Sequence, residues 1–368
     1  MTGIVRTTIL GIALLAAGVG AASGADKLFV RDDLASDAIR LETKLKSKAE
    51  GTADVAVLKR NAETAFQKGD WAGVFTLYSR IAPLEPKEPL NWQRYALGAA
   101  MQDVADYSVR WQMRNDAHAA AYLAYQRATT PPAEAQALNT LALTYVRTED
   151  YRPALNVLRA SLKTADTAEG RAQYDKLRPQ HGFRLMEQKV DSDAASPRVC
   201  YTFSEDLVTN GKVDYAPFVA VSGLANPAIA VEARQICVDG LEHGKRYGVV
   251  LRQGLPSTVG EDLLKAADYD VYVRDRSPQV RFTGRNYVLP RNGQEGLPVV
   301  AVNTPSVEIK IHRIGDRSLG PTLRNDTFLG GLDGSQARKI ANESGQLVWT
   351  GSMAVKSELN KDTVTAFP

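Results

Sequence analysis

Histidine and cysteine are scarce in this chain, and the scarcity excludes much chemistry. Its four histidines, His118, His181, His243 and His312, lie far apart. None has a second His or a Cys at metal-ligand spacing. His118 falls in an Ala-rich helical stretch and His312 on the polar side of a strand pattern, so each reads as structural or solvated. There is no Gly-x-Ser-x-Gly nucleophile turn. There is no phosphate loop either, because no Lys-Ser or Lys-Thr follows the cluster Gly330-Gly331-Leu332-Asp333-Gly334. No catalytic residue, cofactor site or metal site is expected, and the chain is expected not to be an enzyme.

An excess of one charge is also missing. Forty-five basic residues are interspersed with forty-two acidic ones, for a net charge of +3. Nucleic acid binding calls for a clustered basic face, so no nucleic-acid partner is expected. Long apolar runs are absent beyond the leader, so no membrane span is expected in the mature chain. What is present is ordinary globular composition, 44% apolar and 24% charged over 368 residues, enough for two or three domains.

Residues 1–25 stand apart. Arg6 precedes an almost wholly apolar run from Ile9 to Val19, and small residues follow, ending Ala22-Ser23-Gly24-Ala25. Ser23 and Ala25 fit the −3 and −1 positions of a signal peptidase site, giving a mature start at Asp26. An N-terminal membrane anchor is the other reading, but the run is about half of the ~20 residues a spanning helix needs. No Cys follows the run to carry a lipid. Export with cleavage of the leader is therefore expected. The two cysteines, Cys200 and Cys237, then meet an oxidising compartment, where pairing is the default. A Cys200–Cys237 disulfide is expected; two separate buried thiols are the alternative.

Residues 26–190 read as helical. Ala, Leu, Gln, Glu, Lys and Arg dominate, and strand signals are absent. Leu34 to Lys48 carries scattered apolar residues at helical spacing. Ala62-x-x-Ala65-Phe66 leads into Gly69-Asp70-Trp71-Ala72, then Leu77-Tyr78 and Ile81, which describes a helical hairpin with a Gly-Asp turn. A related pattern recurs from Ala135 to Leu162, with Glu149-Asp150 at its turn. A weaker pair lies between, around Trp92 to Ala128, with Tyr95, Trp111, Tyr122 and Tyr125 read as core aromatics. The pattern resembles tetratricopeptide-type repeats, whose units stack because none buries its apolar face alone. An irregular α-solenoid or a plain bundle is the alternative. Such an array offers a concave surface for a partner, or serves as a spacer. Lys163 to Val190 reads as a polar transition.

The period then changes from 3.6 to 2. Val199 to Phe203, Tyr215 to Val221, Gln235 to Val238, Tyr247 to Leu251 and Tyr269 to Val273 read as short strands between Gly, Pro and Asp turns, which is a sandwich signature over residues 191–276. A second, incomplete sandwich is expected over residues 277–368, from Val280–Phe282, Tyr287–Leu289, Pro298–Val302, Val307–Ile314, Leu347–Val355 and Thr363–Phe367. Its end directly after a strand, at Pro368, reads as a fragment of a longer protein. Arg274, Arg276, Arg281 and Arg285 cluster around the linker, and pairing with acidic loops across the domain boundary is expected of them. Asn325 and Asn342 open Asn-x-Ser/Thr triplets, acceptors only in a eukaryotic secretory pathway.

Three segments carry a more specific resemblance. They are Cys200-Tyr-Thr-Phe-Ser-Glu-Asp-Leu207; Ile236-Cys-Val-Asp-Gly-Leu-Glu-His-Gly-Lys-Arg-Tyr247 with Leu251-Arg-Gln-Gly-Leu-Pro256; and Val273-Arg-Asp-Arg-Ser-Pro278 through Tyr287-Val-Leu-Pro-Arg291. Val302-Asn-Thr304 and Ile314-Gly-Asp-Arg317 extend them. Together, over Pro197 to Asp316, they resemble the N-terminal part of bacterial alpha-2-macroglobulin family proteins. That resemblance implies an α + β multidomain chain, with helical repeats followed by macroglobulin-type antiparallel β-sandwich domains in the periplasm. It implies proteases as partners of the full-length protein, which traps them when a bait segment is cut. Many members carry a Cys-x-x-Gln thioester. Here Cys200 is followed by Tyr-Thr-Phe and Cys237 by Val-Asp-Gly, so neither is a thioester. By the resemblance this chain holds the scaffold end, without bait or thioester. The rival reading is a self-contained exported binding module with an adhesion-type sandwich.

Overall fold

The computed structural model describes residues 27–48, 54–283, 296–324 and 332–368. The chain divides into two compact units, Met1–Gly182 and Phe183–Pro368. The proposed leader, the strand at Tyr287–Leu289, Arg285 and Asn325 lie outside the described residues.

The first unit contains eight described helices: α1 (Asp32–Lys48), α2 (Val55–Gln67), α3 (Trp71–Leu84), α4 (Pro89–Met101), α5 (Tyr107–Arg127), α6 (Pro131–Arg147), α7 (Tyr151–Thr164) and α8 (Ala168–His181). Successive helices pack as hairpins: α2 with α3, α4 with α5, α6 with α7. The turns follow local chemistry. Gly69 takes φ +69°, and Asp70 caps α3 by accepting the Gly73 amide. Glu149 takes φ 63° before α7. In α1 the buried residues Leu34, Ala38, Leu41 and Leu45 recur at helical spacing and form one stripe. That stripe packs on α3 and α5. Trp71 restarts the apolar face of the first hairpin, with its ring edge-on to Phe66 at 5.6 Å. Trp92, Tyr95 and Tyr125 are fully buried. Trp111, read as core from its sequence neighbourhood, is 59% exposed instead, because it points away from the buried Met113 and Ala117 face of α5.

The α3–α4 contact depends on a glycine. A Cβ at Gly98 would stand 2.6 Å from the Phe75 backbone nitrogen and 2.9 Å from its Cα. Backbone cannot swing aside as a side chain can. Gly98→Ala is expected to force these helices apart and cost about 2 kcal/mol despite its better helix propensity. Thermal unfolding followed at 222 nm checks this; an unchanged or raised midpoint would refute the close approach.

His118 gives this unit a pH response. Its ring stacks on Tyr145 at a centroid distance of 4.3 Å, and its Nε2 is buried without a hydrogen-bond partner. Burial holds its pKa below the usual histidine value, outweighing the opposing hydrogen bond at Thr144 and the nearby Asp150 charge. The unfolded chain therefore binds this proton more readily than the folded one. Stability is fully present above about pH 6.5 and falls as pH drops toward the folded pKa. The helical transition should move to lower temperature between pH 7.5 and 5 by more than in His118→Gln; equal shifts would refute the assignment.

The second unit contains two sandwiches. In the first, β1 (Leu185–Asp191), β2 (Arg198–Phe203), β5 (Gln235–Asp239) and β4 (Ala228–Glu232) form one antiparallel sheet in the order β1-β2-β5-β4. β3 (Val219–Val221), β6 (Arg246–Leu251) and β7 (Ala267–Tyr272) form the facing sheet, in the order β3-β6-β7. Val199, Tyr201, Phe203, Ile236 and Val238 from one sheet meet Val219, Val221, Tyr247, Val249, Leu251 and Val271 from the other in a single core. The Tyr215 hydroxyl accepts the Val208 amide and donates to the Pro256 carbonyl, fixing the loop between β2 and β3.

In the second sandwich, β8 (Gln279–Phe282), β9 (Leu297–Val302) and β12 (Thr363–Phe367) form a sheet in the order β12-β9-β8. β10 (Ser306–Ile314) pairs with β11 (Gly345–Ala354). Its buried core is small: Ala301, Val307 and Val355, with Ile309 and Met353 against them. The fold class is thus the one read from the sequence, helical hairpins followed by antiparallel sheets.

Several elements differ from the sequence reading. α8 and β1 occupy the stretch read as a polar transition. α8 buries only Gly170, so it has no apolar period to detect. β1 exposes Met186 and has no fully buried residue, which hides its alternation. Within the second sandwich, α9 (Asp316–Arg324) and α10 (Gly334–Lys339) stand where the strand pattern predicts no helix. Asp333 starts α10 with a capping box: its side chain accepts the Ser335 and Gln336 amides, and the Gln336 side chain accepts the Asp333 amide.

Candidate functional site

Three places concentrate polar chemistry. The first is a groove in the helical unit. Since α1 covers α3 and α5, and α4 contacts α6, which contacts α8, the even-numbered helices form a separate face. That face holds a cavity of about 220 Å³. Phe66 comes from α2, Gln93, Arg94 and Leu97 from α4, Gln136 and Asn139 from α6, and Gln173 from α8. The Arg94 guanidinium lies over the Phe66 ring at 3.3 Å, with Glu63 3.9 Å away, and its Nε is buried without a hydrogen-bond partner. Asn139 is held by Ser161, which donates to its Oδ1 at 2.7 Å, and its own amide donates to Thr167. Side-chain amides both donate and accept, so this surface can hydrogen-bond the main chain of an extended segment. Its amides and its arginine suit non-covalent recognition.

The second place is the bridge in the first sandwich. Cys200 and Cys237 face each other across β2 and β5 and are joined by a disulfide. By strand alternation they lie on the face opposite the core residues Val199, Tyr201, Ile236 and Val238.

The third place joins the two sandwiches. The basic cluster around the linker meets acidic partners there. Arg274 donates to Asp193 at 3.0 Å from Nη1 and 2.5 Å from Nη2. Arg276, only 5% exposed, has Nη2 2.9 Å from Asp362. It also donates from Nε to the Asp193 carbonyl and from Nη1 to the Asn360 carbonyl. Arg281 donates to Asp362 at 2.6 Å. Asn303 and Asn360 lock together: Asn303 Nδ2 donates to Asn360 Oδ1 and to the Arg276 carbonyl, and the Asn360 amide donates to Asn303 Oδ1. Arg274, followed by the Ser277 amide, holds the Asp193 carboxyl far below the usual carboxylate range. The sequence showed the basic half of this cluster. It did not show Asp193, Asn303, Asn360 or Asp362, which lie far along the chain from the arginines they meet.

The four histidines do not gather. His181 stacks on Tyr151, and His243 Nε2 lies 2.9 Å from the Ser192 carbonyl. Among the described residues no three His, Cys, Asp or Glu side chains are grouped to hold a metal ion. No helix among the described residues is long and apolar enough to cross a membrane.

Helical hairpins followed by a disulfide-bridged sandwich and a second sandwich define a modular chain of helical and antiparallel β domains. Comparison with known proteins finds similarity concentrated in bacterial macroglobulins. Residues 281–368 match the bacterial alpha-2 macroglobulin MG2 domain. An alpha-2-macroglobulin of Xylella fastidiosa strain 9a5c is 32% identical over 144 residues, which is 38% of this chain and 9% of that protein. Among solved structures, native alpha-2-macroglobulin from Escherichia coli spanning domains MG0-NIE-MG1 is similar at 21% identity. That similarity covers 50% of this chain and 60% of the other, with a TM-score of 0.29. A Salmonella alpha-2-macroglobulin structure is similar at 20% identity over 52% of this chain and 12% of the other, with a TM-score of 0.34. The resemblance to the N-terminal part of a bacterial alpha-2-macroglobulin family protein is borne out. The chain aligns with less than a tenth of the length of these curated relatives.

Proposed function

We propose that this chain is the scaffold end of a periplasmic protease-trapping inhibitor of the alpha-2-macroglobulin type, and that it is not an enzyme. The observation that carries the reading is the macroglobulin domain match over residues 281–368. The arginine–asparagine junction supports it, since a trap that collapses on cleavage needs sandwiches joined in a fixed relation. The disulfide suits an oxidising compartment. In this reading Cys200 and Cys237 are structural, and the bait and any thioester belong to other parts of the full protein. The helical groove docks a protein partner.

Trapping has a simple physical signature. An enclosed protease keeps its active site but loses access to large substrates. The native protein, captured with an antibody to the helical unit and mixed with trypsin, should suppress digestion of casein and leave cleavage of a small chromogenic peptide intact. Equal loss of both activities would mean active-site blockage, and loss of neither would leave the rival reading of a self-contained binding module.

A further inference from the structure

A second cavity, of about 450 Å³, lies outside the groove described above, where the end of α4, the start of α5 and the end of α6 meet. Arg110, Arg114 and Arg147 line it, against Asp103 as the one acidic lining residue. Its floor is apolar, with Ala99, Ala117 and Met113 buried. Two of the arginines are partly engaged: Arg110 donates to the Val104 carbonyl at 3.0 Å and Arg147 to the Ala100 carbonyl at 3.3 Å. Asp103 is fully exposed and 3.8 Å from Arg147, too loose to neutralise the site. Arg114 is exposed, and none of the ion pairs or hydrogen bonds among the described residues engages it. Beside it on α5, Tyr107 and Trp111 are 72% and 59% exposed.

We infer that this corner of the helical unit binds an acidic segment of a partner protein. The commitment rests on charge and shape together. Three guanidinium groups against one carboxylate leave the site positive, and guanidinium forks match carboxylates. The size fits a side chain with its flanking backbone. An apolar floor accepts an aliphatic anchor residue, which a phosphate backbone does not supply. Exposed Trp and Tyr next to Arg is the composition that dominates binding energy at protein interfaces. The inference stands apart from the trapping reading, and either can fail alone.

The test uses the full chain and a fluorescein-labelled peptide with the core Glu-Glu-Leu-Glu-Glu, read by anisotropy. Binding should weaken with added salt. The Gln-Gln-Leu-Gln-Gln counterpart should bind at least about tenfold more weakly, and Arg114→Glu should lower affinity for the acidic peptide by at least about tenfold. Arg114→Lys, which keeps the charge but not the fork, should lose less affinity than Arg114→Glu, and Trp111→Ala should lose several-fold. Unchanged thermal midpoints would show that the variants fold. Equal binding of the acidic and neutral peptides, or an unaltered Arg114→Glu, overturns the inference. So does equally good competition by oligothymidine, which would make the site a general polyanion surface.

Discussion

Replacing Cys200 and Cys237 together by alanine is expected to lower the stability of the β unit by about 4 kcal/mol. The bridge spans a sequence separation of 37 residues, and the chain-entropy model gives a loop of that size nearly this value. The two strands would still pair, since Val199↔Val238 and Tyr201↔Ile236 keep their register and their core contacts. The loss therefore falls on the unfolded chain, which gains freedom, and not on the folded sheet. With a urea dependence of about 1–3 kcal/mol per molar, the midpoint should drop by more than about 1 M. Amide hydrogen exchange of Val199–Thr202 and Gln235–Val238, which pair across β2 and β5, would report the β unit alone. The helical transition at 222 nm should stay in place. An unchanged β midpoint would mean that the bridge constrains nothing the sheet does not already fix.

Arg276→Ala is expected to cost about 3 kcal/mol and to uncouple the two sandwiches. The side chain is nearly buried and reaches the Asp193 carbonyl, the Asn360 carbonyl and the Asp362 carboxylate at once. Removing it leaves two carbonyls short of a donor and a carboxylate that keeps only Arg281. Lysine should not restore the loss, because a single ammonium cannot span three acceptors that a planar guanidinium reaches. The variant should be cut faster by trypsin after Arg274 and Arg281, and its two sandwiches should unfold in separate steps. Acid should loosen the same junction late. Asp193 is held well below its ordinary pKa, so its contribution is present above about pH 3.9 and is lost only as pH falls through the lower folded value. A single cooperative transition for Arg276→Ala, at the wild-type midpoint, would contradict the role given to this junction.

The helical half was legible where apolar residues repeat on one face. Leu34, Ala38, Leu41 and Leu45, and the Gly69-Asp70-Trp71 turn, each state their structure locally. α8 was not legible, because a helix that buries only a glycine leaves no stripe in the sequence. Trp111 misled for the opposite reason: an aromatic among buried alanines reads as core, although its own angular position on α5 turns it outward. The strands from Val199 to Val273 were legible by alternation. The site was half legible. Arg274, Arg276 and Arg281 lie close together in sequence, whereas Asn303, Asn360 and Asp362 reach them only through the pairing of β8, β9 and β12. The polar groove left no signal either, since Gln93 and Asn139 sit singly inside apolar helix faces and only stacking brings them together.

The most direct test of the scaffold reading is the intact mass of the native protein in a periplasmic extract, detected with an antibody to the helical unit. The account predicts a species several times heavier than the 40.0 kDa of this chain, because a trap needs a bait and further sandwiches. A species near 40 kDa or just below it, found in the same fraction, would contradict the account and leave an exported binding module in its place.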